Sequence, residues 1–102
     1  MAKEEKQLQN ACEHYLTLKK HFFWKNNSGA LPTASGGFIR FGAVGSPDIC
    51  VVKDGFFIGL EVKTAKGKQS DGQKEFERKL KDAGGEYYII RKLEDLKELA
   101  GL

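Results

Sequence analysis

Residues 45–63 read Gly-Ser-Pro-Asp-Ile-Cys-Val-Val-Lys-Asp-Gly-Phe-Phe-Ile-Gly-Leu-Glu-Val-Lys, and the rest of the chain is organised around them. Two apolar runs, at 49–52 and 56–60, flank Asp54-Gly55, the dipeptide best suited to a two-residue type I′ turn. With that loop Lys53 faces Phe56, and counting outward along both strands brings Asp48 opposite Glu61, with Cβ atoms roughly 5 Å apart. Lys63 points to the same face, because strand side chains alternate. Ile49, Val51, Phe56, Ile58, Leu60 and Val62 fall on the other face, which is apolar enough to be the core. The hairpin therefore carries two carboxylates and an ammonium where packing does not call for them.

Two carboxylates held that close raise each other's pKa unless a cation sits between them. One reading is a surface salt bridge from Lys63 to one acid, which is common and contributes little. The sharper reading is a divalent-metal site. Carboxylate oxygens suit Mg²⁺ or Mn²⁺, which keep coordination positions open for water and phosphate oxygens. A lysine beside them can orient or deprotonate an attacking water, or stabilise charge on a phosphate.

A length of 102 residues fits one domain, 1–102. The net charge of +3 permits a nucleic-acid partner without demanding one. Cys12 and Cys50 lie in an apolar helix stripe and a strand, and read as reduced hydrophobes rather than a disulfide framework. His14 and His21 have no zinc-ligand spacing with them. The charged N-terminus carries no leader pattern, and no stretch is long enough to span a bilayer. The expected compartment is cytoplasmic, in a bacterial or phage-infected host cell.

From residue 3 to about 20, Leu8, Ala11, Cys12, Tyr15 and Leu16 mark one buried helical stripe. Glu4 and Glu5 fall on its two edges, and periodicity does not choose which of them reaches the acidic face. A solvated first-turn acid is the plain alternative for both. Phe22-Phe23-Trp24 opens a strand that ends at Asn26-Asn27-Ser28-Gly29, a set suited either to a turn or to phosphate contacts. Residues 30–37 read as a mobile loop, and 38–41 as a strand in which Arg40 is a surface residue or a phosphate contact. After Lys63, residues 64–69 form a short basic loop whose Lys66 and Lys68 would attract polyanions.

Ser70-Asp71-Gly72-Gln73 has the form of a helix capping box, so the Gln73 amide either caps the helix or supports the site near Glu61. Phe76, Leu80 and Ala83 continue that helix, and Gly84-Gly85 ends it. A strand at 86–91 follows with Ile89 and Ile90 as core, then a short helix through Leu93, Leu96 and Leu99. This order gives an α/β layer fold, a mixed sheet flanked by helices. Adjacent aromatics in Phe22-Phe23-Trp24 and Phe56-Phe57 must point to opposite faces. Some apolar surface is then left for another molecule, and a two-fold homodimer is the commonest arrangement that covers it.

Pro47-Asp48 followed by Glu61-Val62-Lys63 resembles the PD-(D/E)xK nuclease signature. The wider pattern resembles the VRR-NUC family, the virus-type replication-repair nucleases: Glu5 four residues before Gln9, then Asn27-Ser28-Gly29, Gly45-Ser46-Pro47-Asp48, Glu61 with Lys63, and Gln73 opening the next helix. The resemblance covers residues 5–91 or so. It implies a restriction-endonuclease-like core in α-β-β-β-α-β order and metal-dependent hydrolysis of DNA. Asp48, Glu61 and the Val62 carbonyl would hold Mg²⁺ or Mn²⁺, Glu5 would bind a second ion or its water shell, and Lys63 and Gln73 would serve the attacking water. DNA contacts would fall to Asn27, Ser28, Arg40, Ser46, Lys66 and Lys68. Stand-alone members of that family look like resolvers of four-way junctions. The competing reading is a DNA-binding module or dimeric adaptor that keeps the fold without the chemistry.

Overall fold

The computed structural model describes residues 3–26, 29–99 and 101–102. The order of elements is α1 (Lys3–Leu18), β1 (Phe22–Lys25), β2 (Gly29–Pro32), β3 (Phe38–Phe41), β4 (Ile49–Lys53), β5 (Phe56–Val62), α2 (Asp71–Asp82), β6 (Glu86–Ile90) and α3 (Leu93–Lys97). The main sheet runs β1-β4-β5-β6, antiparallel except for the parallel pair β5 and β6, which the α2 crossover makes possible. This is the mixed sheet flanked by helices that the sequence predicts. Asp54 and Gly55 have φ of 52° and 83°, both positive as a type I′ turn requires, and the register runs from Lys53↔Phe56 to Ile49↔Leu60.

Away from the turn, alternate residues of β4 and β5 enter the core. Ile49, Val51, Ile58 and Leu60 pack there with Cys12 and Leu16 of α1, Ile90 of β6, and Leu96 and Leu102 near the C-terminus. Full burial of each such aliphatic side chain contributes roughly 1.5–3 kcal/mol, so this face anchors the hairpin. Both cysteines are buried free thiols, each pushed up to about 11 by loss of solvation. Among the described residues no helix is long and apolar enough to cross a membrane.

Three expectations are corrected. Phe56 alternates onto the core face but is 57% exposed, because it lies beside the turn and outside the core cluster beneath α1 and α3. Residues 30–37 are only partly loop: β2 and β3 pair antiparallel, Gly29↔Phe41 to Pro32↔Phe38, as a separate two-stranded sheet. The turn between them is closed by Thr33, whose N–H donates to Gly37 O while its hydroxyl accepts from Gly37 N–H. Five strands therefore precede α2, three of them in the main sheet. Of the pair proposed as core in β6, Ile90 is buried in the cluster, whereas Ile89 is half-buried.

Candidate active site

The second face of the hairpin carries the acids. Gly59 is the key to how that face is built, since a Cβ there would stand 2.7 Å from Pro47 Cγ and 3.5 Å from Leu80 Cδ2. Pro47 and α2 can therefore lie directly on the sheet. At Gly45, φ is +78° and an added Cβ would overlap the Gly72 carbonyl and come 2.8 Å from Gln73 N. The segment before β4 is thus pressed against the start of α2. Asn26 fastens the other side: its N–H donates to Asp48 O at 2.8 Å, and its Nδ2 donates to Ser46 Oγ and Pro47 O, both at 2.9 Å. Asn26 sits one step beyond the Lys25↔Ile49 pair, which brings it beside Asp48.

Asp48 and Glu61 meet as the register predicts. The Val62 N–H donates to Asp48 Oδ2 at 2.8 Å, and the two carboxyl groups are close enough to share a proton. Glu61 is not on an open surface, however, and is only 3% exposed. Gln73 Nε2 donates to its Oε1 at 3.2 Å and the Tyr87 hydroxyl to its Oε2 at 3.3 Å. Burial, then the hydrogen bond and charge of Asp48, push the Glu61 carboxyl up to about 9, against a downward pull from Lys63 and Tyr87. Glu61 consequently keeps its proton at neutral pH. The salt-bridge reading of Lys63 fails: among the described residues every ion pair within 4.0 Å lies on α2, and none involves Lys63, Asp48 or Glu61.

Gln73 both caps α2 and contacts Glu61. Its Oε1 accepts from Ser70 N–H at 2.9 Å and its own N–H donates to Ser70 Oγ at 3.1 Å, completing the capping box, which leaves Nε2 free for Glu61. Tyr87 was not singled out by the sequence. It is buried in β6, with its ring hydroxyl also taking a 3.4 Å contact from Gln69 Nε2, which donates to Glu77 Oε1 at 2.9 Å. Burial raises the Tyr87 phenol well above its ordinary range, so it acts here as a donor.

Of the remaining predicted residues, Ser46 lies beside Asp48 under the Asn26 clamp, and Lys66 and Lys68 are exposed on the loop after β5. Glu5 is half-buried and Glu4 exposed; Gln9, one turn after Glu5, is buried. The residues of α1 that pack on the sheet do so on the face opposite Asp48 and Glu61, and among the described residues no group of three His, Cys, Asp or Glu side chains stands ready to hold a metal. Glu5 is thus not brought into a triad with the two acids. Asn27, Ser28 and the Arg40 side chain lie outside the described residues.

The donor set suits a hard divalent cation. Two carboxyl groups face each other, one nearly solvent-free and held neutral by its burial and then by Asp48, and a bound cation would stabilise the ionised pair. No family model and no curated protein matches the chain. Among solved structures, one described as a VRR_NUC domain matches with a TM-score of 0.69 at 17% identity, covering 96% of this chain and 95% of that one. The chain therefore has the fold of a VRR-NUC domain.

Proposed function

We propose that this chain is a metal-dependent endonuclease that hydrolyses phosphodiester bonds in DNA. The observation that carries the reading is the facing Asp48–Glu61 carboxyl pair, with Glu61 buried and, among the described residues, no Lys or Arg within 4.0 Å of either acid, in a chain with the fold of a VRR-NUC domain. Asp48 and Glu61 would hold Mg²⁺ or Mn²⁺, with the Val62 carbonyl as a further ligand; Glu5, which the structure does not bring to the two acids, is assigned to a second ion or its water shell on the sequence resemblance alone. When bound, the metal supplies charge stabilisation at the scissile phosphate and the leaving oxygen. Lys63 orients the attacking water and offsets charge on the phosphate. Gln73 and Tyr87 fix the Glu61 carboxyl, so that its oxygens stay aimed while its proton leaves.

Branched DNA is the proposed substrate and a homodimer the proposed assembly. Phe22 and Trp24 on edge strand β1, and Phe38 and Ile39 on β3, are exposed apolar residues that a second copy would cover. The proposed setting is cytoplasmic. Incubating the protein with linear, flapped and four-way-junction DNA under Mg²⁺, Mn²⁺ or chelator tests the reading. Metal-dependent cleavage that is fastest on the junction is the expected result. No cleavage of any substrate would refute the enzyme, and equal rates on linear and branched DNA would remove the junction preference. Light scattering at micromolar concentration that gives the monomer mass would remove the dimer.

A further inference from the structure

The loop after Lys63 is not a slack connection. Arg91, one residue past β6, points its guanidinium into it: Nη1 lies 2.7 Å from Thr64 O, 2.7 Å from Gly67 O and 3.4 Å from Ala65 O. The loop is also closed on itself by Gly67 N–H donating to Thr64 O at 3.1 Å. Among the described residues Arg91 has no carboxylate within 4.0 Å, so its charge is met by these carbonyl dipoles. All peptide bonds described are trans, and in a trans peptide the C=O of one residue and the N–H of the next point in opposite directions. Turning the carbonyls of Thr64, Ala65 and Gly67 onto Arg91 therefore turns the N–H groups of Ala65, Lys66 and Lys68 away from it. None of those three donates to a described residue, and all three residues are exposed. Gly67 meanwhile lies against the Lys63 side chain, since a Cβ there would be 3.5 Å from Lys63 Cδ.

We infer that residues 64–68, held by Arg91, form a phosphate-binding loop for a nucleic-acid backbone beside Lys63, with Arg91 as the positioning residue. Outward peptide N–H groups with a cation behind them and two lysines on the rim suit a phosphate, as backbone nests do elsewhere. The inference rests on the nuclease reading and adds a subsite to it: the loop would grip a phosphate neighbouring the one cleaved, fixing the strand's register over Asp48 and Glu61.

The test uses binding in chelator, so that it does not depend on cleavage. Amide shifts of the wild-type protein are followed while a short DNA duplex is added, and fluorescence anisotropy gives the Kd of wild type and Arg91→Ala across salt. The amides of Ala65, Lys66 and Lys68 should be among those that shift most. Arg91→Ala should weaken binding about tenfold and lower the salt slope by about one phosphate's worth, roughly 0.9. If DNA binds while those amides stay still, this loop is not the subsite, whatever becomes of the nuclease. If wild type binds no DNA at low salt, the subsite falls, while the nuclease reading is decided separately by the metal-dependent cleavage assay. The wild-type titration decides even where Arg91→Ala lowers the melting temperature.

Discussion

Glu61→Gln should make the metal-free protein more stable at neutral pH, although it removes a candidate ligand. The folded-state value of Glu61, about 9, lies above the ordinary 4.5 of the unfolded chain. Between those values the folded protein holds a proton that the unfolded chain has released. The contribution of Glu61 to stability is therefore complete below about pH 4.5 and is lost as pH rises toward 9. Each unit corresponds to about 1.4 kcal/mol, so the rise from 4.5 to 7 removes roughly 3 kcal/mol. Glutamine has no proton to lose. Its carbonyl can accept from Gln73, and its amide can donate to Asp48 and to a reoriented Tyr87 hydroxyl. At pH 7 the variant should melt roughly 10–20 °C above wild type, and the gap should close at pH 4.5. Adding Mn²⁺ should raise the wild type toward the variant by mass action. Denaturation curves from pH 4.5 to 9 settle the matter. Parallel pH profiles for the two proteins would show that Glu61 is not held neutral, and the argument from its burial would fail.

Lys63→Ala should cut turnover by at least about 100-fold while changing DNA affinity little, the signature of a group acting on water in the transition state. Single-turnover kinetics beside binding isotherms will show it, and a loss confined to affinity would reduce Lys63 to a phosphate contact. Glu5→Gln should lower cleavage by about tenfold or more and Glu4→Gln should do little; the reverse order would mean that the N-terminal motif is out by one residue. Gly45→Ala should destabilise by at least about 2 kcal/mol in urea denaturation, because it puts a side chain at positive φ into the backbone of α2. Wild-type stability there would mean that the loop before β4 does not rest on that helix.

What was legible in the sequence depends on local backbone chemistry. Asp54-Gly55 specifies one turn, the turn specifies one register, and the register alone places Asp48 against Glu61. The capping box likewise placed Gln73 at the start of α2. The features that escaped are those set by long-range packing. Tyr87 reaches Glu61 only because β6 returns parallel to β5 after a helix, and nothing within residues 86–90 distinguishes Tyr87 from Tyr88. The Asn26 clamp depends on β1 pairing with β4 across more than twenty residues. Alternation put Glu61 on the non-core face and so suggested exposure, yet α2 covers that face because Gly59 and Gly45 let Pro47 and the helix approach. The pairing of β2 with β3 joins two short segments in which Gly29, Pro32 and Gly37 favour a loop reading.

The central claim is that Asp48 and Glu61 form one cation site that holds a proton in place of the cation. Calorimetric titration of Mn²⁺ at pH 7, repeated in buffers of different ionisation heat, measures both binding and the protons released. Wild type should bind with release of about one proton per ion, since Glu61 must ionise to coordinate, and Glu61→Gln should lose the binding. Binding without proton release, or binding unchanged in Glu61→Gln, would contradict it.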